Sequence, residues 1–232
     1  MQQDIGTKRI DWTEHEQSYY EKRVMALIYL LQDKGVFKYD ELLSVLQQME
    51  SQNPTVGARV VARAWVDPAF KKRLLNDAMS ALAELKIPLP RIKQIKVVEN
   101  TDAVRYVTVC TTCSCYPVPL LGQSPLWYKS LAYRTRVVKE PRIVLREKGL
   151  NIAESVELKV LDSDFETRYF VLPRRPPGTE GMSEDQLARL VTRDSIIGVG
   201  DPLKPTQLVR ASVGGSQKSQ QMKKGLIAPS QP

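Results

Sequence analysis

The chain has 232 residues, of which 42% are hydrophobic and 26% charged, and its net charge is +8. This composition is that of an ordinary globular protein, long enough for one large domain with an appendage. The longest apolar run, residues 24–31, is well short of the roughly 20 residues that cross a membrane, and no signal-peptide pattern begins the chain. Basic residues are spread out without interleaved aromatics, which argues against nucleic-acid binding. We therefore expect a cytoplasmic protein that binds neither membrane nor nucleic acid.

The N-terminal part of the chain has helical periodicity, because apolar residues recur at three- and four-residue spacing. The predicted helices cover 13–33, 39–50, 54–65 and 67–86. Gly35 is suited to end the first helix, while Asp67 and Pro68 are suited to the N-cap and first position of the last. The apolar stripes are interpreted as packing faces rather than ligand sites.

Beyond residue 88 the pattern changes to β-branched runs bounded by turn residues, which predict strands. These strands are expected at 95–99, 104–110, 156–161 and 168–172. Prolines are expected to keep 117–125 away from regular structure. Ser183 and Gln186 have the spacing of a capping box, which predicts a helix that runs to about residue 192.

These elements predict an α+β fold, with a helical N-terminal half followed by a layered α+β domain. The first division, 1–88, is expected to pack on a partner subunit. The second, 89–202, is expected to be the catalytic domain. Residues 203–232 are polar and rich in Gly, Ser, Gln, Lys and Pro, so we expect a flexible or partner-wrapping tail.

All three cysteines lie in one pattern, C-x-x-C-S-C, from Cys110 to Cys115, which we call the cysteine loop. Such clustering indicates that the thiols act together. A structural zinc site would need a fourth ligand, and the single histidine, His15, is far away in the sequence. A redox dithiol at Cys110 and Cys113 is a second alternative, but prolines follow the motif where such sites have a helix.

A third alternative is a transition-metal site that uses all three thiolates. Because one residue separates Cys113 from Cys115, the backbone nitrogens of Ser114 and Cys115 fall within the same chelate ring. If these nitrogens are deprotonated, they complete a set of two nitrogens and three sulfurs, with Cys110 as the third sulfur and a sixth position open. Such donors suit trivalent cobalt or iron rather than zinc or magnesium. The residues alone leave the three alternatives open.

The cysteine loop, followed by Tyr116-Pro117, resembles the metal-binding claw of the nitrile hydratase alpha-subunit family, which also includes the gamma subunit of thiocyanate hydrolase. The resemblance extends over residues 56–202. Further family-like stretches lie at 58–68, 97–101, 121–122, 127–130, 138–142, 166–169, 176–181 and 191–195.

This resemblance implies a hydro-lyase subunit that hydrates a nitrile to the carboxamide. It implies one non-corrin cobalt(III) per chain, with iron(III) as the alternative, held by Cys110, Cys113, Ser114 and Cys115. It also implies that Cys113 is oxidised to sulfinate and Cys115 to sulfenate while Cys110 stays a thiolate. Thr111 matches the cobalt-type members.

The resemblance further implies a hetero-oligomer with a beta-type subunit, made of one chain or two split chains. Arginines of that partner would clamp the oxidised cysteines, so the chain is expected to be active only with it. A metallochaperone or activator is expected as a further partner. The catalytic residues carried over are Cys115, Cys113, Glu166 and Arg168, and whether the Cys115 sulfenate or a metal-activated water attacks the nitrile stays open.

The chain departs from the family directly after Tyr116-Pro117, where nitrile hydratases have Trp and the thiocyanate enzyme has Arg, but this chain has Val118. The smaller side chain predicts a wider pocket, lined by Val118, Tyr116 and Gln123. We therefore expect a bulky heteroaromatic substrate or a nucleoside nitrile of the toyocamycin type. Gln123-Ser124 instead looks like the thiocyanate enzyme, so a thiocyanate hydrolase gamma-type subunit is the alternative, and a non-catalytic zinc or thiol-redox module is a further one.

Overall fold

The structure, a computed structural model, describes residues 19–90 and 92–208. Contacts divide the chain into two compact units, 1–48 and 49–232. The helices of the described residues are α1 (Tyr19–Asp33), α2 (Tyr39–Ser51), α3 (Thr55–Val66), α4 (Pro68–Asn76), α5 (Ala78–Glu84), α6 (Val118–Leu121), α7 (Leu126–Lys129), α8 (Leu131–Lys139), α9 (Pro141–Glu147), α10 (Glu184–Ala188) and α11 (Arg193–Ile197). The strands are β1 (Gln94–Glu99), β2 (Val104–Val109), β3 (Glu157–Asp162) and β4 (Thr167–Leu172).

In the first unit, α1 ends at a glycine, as predicted. The Gly35 N–H donates to Gln32 O at 2.9 Å and the Val36 N–H donates to Leu31 O at 3.0 Å. Gly35 has φ +68°, so this is a Schellman ending that favours glycine. Residues 13–18 of the predicted helix lie outside the described residues.

The apolar face of α1 is exposed, and no residue of this helix is buried. Tyr20, Val24 and Leu27 each expose more than half of their surface. The proposal that region 1–88 packs on a partner subunit therefore stays a prediction. The boundaries after residues 88 and 202 also stay predictions, and residues 209–232 of the predicted tail lie outside the described residues.

In the second unit, the helix predicted over 67–86 is wrong, because the structure has two helices there. Asp67 caps α4 as predicted, since its carboxylate accepts the Phe70 N–H at 2.9 Å, with Pro68 in the first turn. Asp77 then interrupts the helix with an extended backbone, and its carboxylate accepts the Ser80 N–H at 3.1 Å. A second N-cap therefore starts α5 within the predicted helix.

The four strands form two parallel pairs, β1 with β4 and β2 with β3. The registers align Val97 with Phe170 and Val107 with Val160. Every predicted strand is present, with ends that agree within one residue. The α+β fold class is confirmed.

The helices α6 and α10 differ from the sequence prediction. Residues 117–125 are not irregular throughout: they contain α6, in which the Leu121 N–H donates to Pro117 O at 3.1 Å. Pro117 and Pro119 are compatible with this helix because its first residues need no N–H partner. The capping box of Ser183 and Gln186 is confirmed, but its helix ends at Ala188.

The missed element in this region is α11, which starts at a second capping box. The Thr192 side chain accepts the Ser195 N–H at 3.1 Å, and Ser195 Oγ accepts the Thr192 N–H at 3.2 Å. The S/T-x-x-E/Q pattern does not detect this capping box, because its fourth position is a serine instead of Glu or Gln.

The core of the second unit joins α3, α4 and α5 to the strands and to α9. Fully buried side chains from these elements form one cluster, which includes Val61, Leu74, Val107, Leu145 and Phe170. No helix among the described residues is long and apolar enough to cross a membrane.

Candidate metal centre

The cysteine loop begins where β2 ends and is held there by the neighbouring strand. Val109, the last residue of β2, lies opposite Asp162, the last residue of β3. The Asp162 carboxylate accepts the Thr111 N–H at 2.9 Å and also the Thr111 hydroxyl. The parallel register therefore places a carboxylate where it fixes the first turn of the loop.

The three thiols of the loop converge on one point. All three Sγ atoms lie within 4.8 Å of one another. Cys113 Sγ is 3.1 Å from Cys110 Sγ and 2.9 Å from Cys115 Sγ. The thiols that converge thus all come from the cysteine loop itself.

These distances test which metal geometry the sulfurs fit. Two sulfurs at right angles on an octahedral ion, each bound at about 2.3 Å, lie about 3.2 Å apart, whereas a tetrahedral ion holds them about 3.8 Å apart. The spacings of 2.9 and 3.1 Å fit the right-angled arrangement better. The three sulfurs are therefore close enough to bind one metal ion together, and their two shortest spacings favour right-angled over tetrahedral coordination.

The three thiols have different environments. Cys110 is fully buried, Cys115 is 8% exposed and Cys113 is exposed. A hydrogen bond from the Cys115 thiol lowers the pKa of Cys113 to about 7. Burial raises the pKa of Cys115 to about 12, and the positive charge of Arg168 opposes this increase. A metal that binds all three sulfurs must therefore displace a proton from the buried Cys115.

Helices α7 and α8 hold the loop through its carbonyl groups. The Tyr128 hydroxyl donates to Cys115 O at 3.2 Å, and Arg134 Nη1 donates to Cys113 O at 2.9 Å. The Tyr133 hydroxyl donates to Thr108 O at 2.8 Å, in the strand that leads into the loop. The carbonyls of the loop thus bond to helices, while the Cys113 N–H donates to Cys110 Sγ at 3.3 Å.

The two predicted catalytic residues near the start of β4, Glu166 and Arg168, have different surroundings. Arg168 is close enough for its charge to act on Cys115, and its guanidinium donates to Asp164 O. Glu166 is exposed, and its carboxylate accepts Lys93 Nζ at 2.9 Å. Arg168 therefore acts on the cysteine loop through its charge, whereas the described side-chain contact of Glu166 is with a surface lysine.

The predicted pocket residues follow the thiols in the sequence, and two of them interact with Arg193 of α11. Val118 is partly buried against the core. Tyr116 is buried, and its ring meets Tyr128 edge to face with centroids 5.1 Å apart. The Gln123 side chain is exposed, and its backbone carbonyl accepts Arg193 Nη1 at 3.0 Å. Burial raises the pKa of Tyr116, while the charge of Arg193 opposes the increase.

Sequence reasoning missed the residues that hold the loop in place. Asp162 lies one residue beyond the predicted end of its strand, and the parallel pairing of β2 with β3 would have revealed it. Tyr128, Tyr133 and Arg134 had no local signal, because their hydrogen bonds join segments that are 13 to 25 residues apart.

Comparison with known proteins agrees with this geometry. The sequence profile of the family described as nitrile hydratase, alpha chain, matches residues 18–200. The chain belongs to this family. It is 49% identical over 186 residues to the low-molecular weight cobalt-containing nitrile hydratase subunit alpha of Rhodococcus rhodochrous, which covers 80% of this chain and 90% of that protein.

Two further relatives show how wide the nitrile hydratase alpha-chain family is. The thiocyanate hydrolase subunit gamma of Thiobacillus thioparus is 41% identical over 207 residues, covering 84% of this chain and 85% of that protein. Among solved structures, a double mutant of Fe-type nitrile hydratase from Comamonas testosteroni Ni1 has a TM-score of 0.77 and 39% identity, covering 82% of this chain and 94% of that one. The predicted family, and the prediction that the chain is an enzyme subunit of it, are confirmed.

Proposed function

We propose that this chain is the metal-bearing alpha-type subunit of a nitrile hydratase, which hydrates a nitrile to the carboxamide. The observation that carries the proposal is the convergence of three Sγ atoms within 4.8 Å in a loop with right-angled sulfur spacing. Cys110, Cys113 and Cys115 would hold the ion through sulfur, and Ser114 and Cys115 through their backbone nitrogens. A trivalent ion bound there supplies Lewis-acid polarisation without a change of oxidation state.

The chain's own residues prepare this site electrostatically. Burial raises the pKa of the Cys115 thiol, and the positive charge of Arg168 offsets part of that increase, so Arg168 lowers the free energy needed to ionise this thiol for metal binding. The exposed Cys113 lies where an oxidant and a partner subunit can reach it, which agrees with its proposed oxidation to sulfinate. Oxidation of the buried Cys115 to sulfenate is proposed from the family resemblance alone. A catalytic role for Glu166 would require its carboxylate to leave Lys93, to which it is bonded at 2.9 Å.

Cobalt is proposed as the metal, with iron as the alternative. Thr111 is the residue that cobalt-type members carry, and the Rhodococcus rhodochrous relative is named as cobalt-containing. Elemental analysis of the purified full-length chain tests the proposal, because about one tightly held cobalt per chain is expected. Iron would change the metal assignment, whereas stoichiometric zinc would contradict the nitrile hydratase proposal and favour a non-catalytic zinc module.

A bulky nitrile is proposed as the substrate because Val118 occupies the position of a larger family side chain. The complex with its beta-type subunit should therefore hydrate bulky heteroaromatic nitriles faster than small aliphatic ones. Val118→Trp should reverse this preference by about tenfold, since a pocket contact of this size is worth about 1–3 kcal/mol. A preference that Val118→Trp leaves unchanged would contradict the pocket assignment while leaving the reaction intact.

Thiocyanate hydrolysis is the second candidate function. It is favoured by Gln123-Ser124 and by the 41% identity to the thiocyanate hydrolase subunit gamma. Thiocyanate should be assayed beside both nitrile classes with the same metal-loaded complex. Fast turnover of thiocyanate with inert nitriles would replace the nitrile hydratase proposal by this one.

The proposed beta-type partner completes the site rather than the fold. Its arginines would bind the oxidised cysteines, and Cys113 is the thiol that is accessible to them. The isolated chain should therefore hold metal but turn over no nitrile, and addition of the beta-type subunit should restore turnover. Full activity of the isolated chain would contradict this part of the proposal.

A further inference from the structure

Arg134 is a positively charged residue that contacts the cysteine loop and has no role in the proposed reaction. It lies on α8, and its Nη1 donates to Cys113 O at 2.9 Å. Among the described residues it forms no ion pair with a carboxylate, and its buried Nε has no hydrogen-bond partner. The hydrogen bond to the cysteine loop is therefore the principal contact of this guanidinium within the described chain.

A second arginine on the same helix, Arg136, forms ion pairs with carboxylates. Arg136 pairs with Glu140, the residue between α8 and α9, and its Nη2 lies 2.7 Å from Glu147 Oε1 on α9. These ion pairs tie two helices together and do not involve the cysteine loop. Arg136 thus serves the fold, and it provides a matched control for Arg134.

The contact of Arg134 fixes the orientation of one peptide group. A peptide group is planar, and in the trans form its N–H points away from its C=O. The described chain has no cis peptide bonds. Because the Cys113 carbonyl is directed at α8, the nitrogen of the same peptide, which belongs to Ser114, is directed to the opposite side.

The neighbouring groups follow the same pattern. The Cys115 carbonyl also accepts a helix side chain, Tyr128, at 3.2 Å. The Cys113 N–H, in contrast, donates to Cys110 Sγ at 3.3 Å. Two carbonyls of the loop thus point at the helices and one N–H points at a sulfur, which agrees with a Ser114 nitrogen on the side of its peptide that faces away from α8.

We propose that Arg134 is a positioning residue that holds the peptide between Cys113 and Ser114 so that the Ser114 nitrogen faces the sulfurs as a metal ligand. This inference rests on the proposed metal centre. Partners that orient metal ligands typically change metal affinity about 10- to 100-fold when they are removed. Without Arg134 this peptide loses the contact that orients it, and the Ser114 nitrogen no longer faces the sulfurs as a ligand.

The test compares Arg134→Met, Arg134→Lys and Arg136→Met with the wild-type full-length chain after loading with cobalt. Metal content, the sulfur-to-metal charge-transfer absorption and thermal unfolding of the metal-free chains are measured. We expect Arg134→Met to lower cobalt affinity at least about tenfold and to shift the absorption band. Arg134→Lys, which can still donate to the carbonyl, should restore most of both. Arg136→Met should lower thermal stability and leave the band unchanged.

Two outcomes overturn the inference while the metal centre stands. One is an Arg134→Met chain with wild-type affinity and absorption. The other is an equal loss in Arg136→Met, which would show that any loosening of α8 has the same effect. A wild-type chain that binds neither cobalt nor iron would instead remove the proposed function, and the inference with it.

Discussion

The loops after β1 and β2 are both held by a hydrogen bond from a backbone N–H to a side-chain oxygen, but they have different roles. After β1, the Asn100 side chain is 2% exposed, and its Oδ1 accepts the Tyr106 N–H at 2.8 Å. After β2, the Asp162 carboxylate accepts the Thr111 N–H at 2.9 Å. In both places a side-chain oxygen at or next to the end of one strand accepts a backbone N–H from another segment.

The difference lies in what each loop leaves accessible. The first loop closes on itself, since the Thr101 N–H donates to Val104 O at 2.9 Å, and it is joined to β4 because the Asn100 N–H donates to Leu172 O at 3.0 Å. The cysteine loop instead uses its carbonyls for helix side chains and exposes Cys113. One loop therefore contributes to stability, whereas the other is held in shape so that its sulfurs remain free for a ligand.

The largest expected effect comes from removal of a thiol. Cys113→Ala should lower cobalt affinity by at least about 100-fold, because one sulfur of a three-sulfur site is lost. Since Cys113 is exposed, the metal-free chain should unfold within about 0.5 kcal/mol of wild type. Equilibrium dialysis and denaturant unfolding check the two parts, and an unfolded metal-free variant would mean that the loop also supports the fold.

Removal of the carboxylate that fixes the loop should have the next largest effect. Asp162→Ala removes both hydrogen bonds to Thr111 and should weaken cobalt binding about 10- to 100-fold. Glu157→Ala, at the exposed start of the same strand, is the control and should bind as wild type. Equal affinities of the two variants in cobalt titrations would show that strand register alone shapes the loop.

The equivalent change in the other loop should separate stability from binding. Asn100→Ala leaves the Tyr106 N–H without its acceptor, and the free energy of unfolding should fall by about 1–3 kcal/mol. Cobalt affinity of the folded fraction should stay within about twofold of wild type. A tenfold loss of affinity in this variant would break the contrast between the two loops.

The smallest expected effect separates the two hydrogen bonds of Thr111. Thr111→Val keeps the backbone N–H bond to Asp162 and loses only the hydroxyl bond. We expect cobalt affinity to fall about two- to tenfold, which corresponds to about 0.5–1.5 kcal/mol for one hydrogen bond. Thr111→Ser should retain wild-type affinity in the same titration.

Local patterns in the sequence were sufficient for the strands, the capping box at Ser183 and the cysteine loop. Each depends on residues a few positions apart, such as the helix cap at Asp67. The break at Asp77 also had a local signal, the short polar side chain that accepts the Ser80 N–H, but the apolar periodicity on both sides hid it.

The support of the cysteine loop was not predictable because it depends on which elements are neighbours in space. Periodicity indicates that β2 and β3 exist, but it does not indicate that they pair in parallel with Val109 opposite Asp162. The same is true of Arg134, whose partner is 21 residues away. The family resemblance indicated the proposed ligands, whereas the contacts that orient the loop are visible only in the three-dimensional structure.

Gly57 shows how far from the sulfurs a mutation can disturb the site. A Cβ atom there would lie 2.9 Å from Leu120 O and 3.0 Å from Leu121 Cδ2, both in α6. Because α6 begins shortly after the cysteine loop, a single added methyl group would displace α6 and with it the end of the loop. In a scan of all substitutions for cobalt retention, we expect position 57 to tolerate almost nothing, although it contacts no thiol.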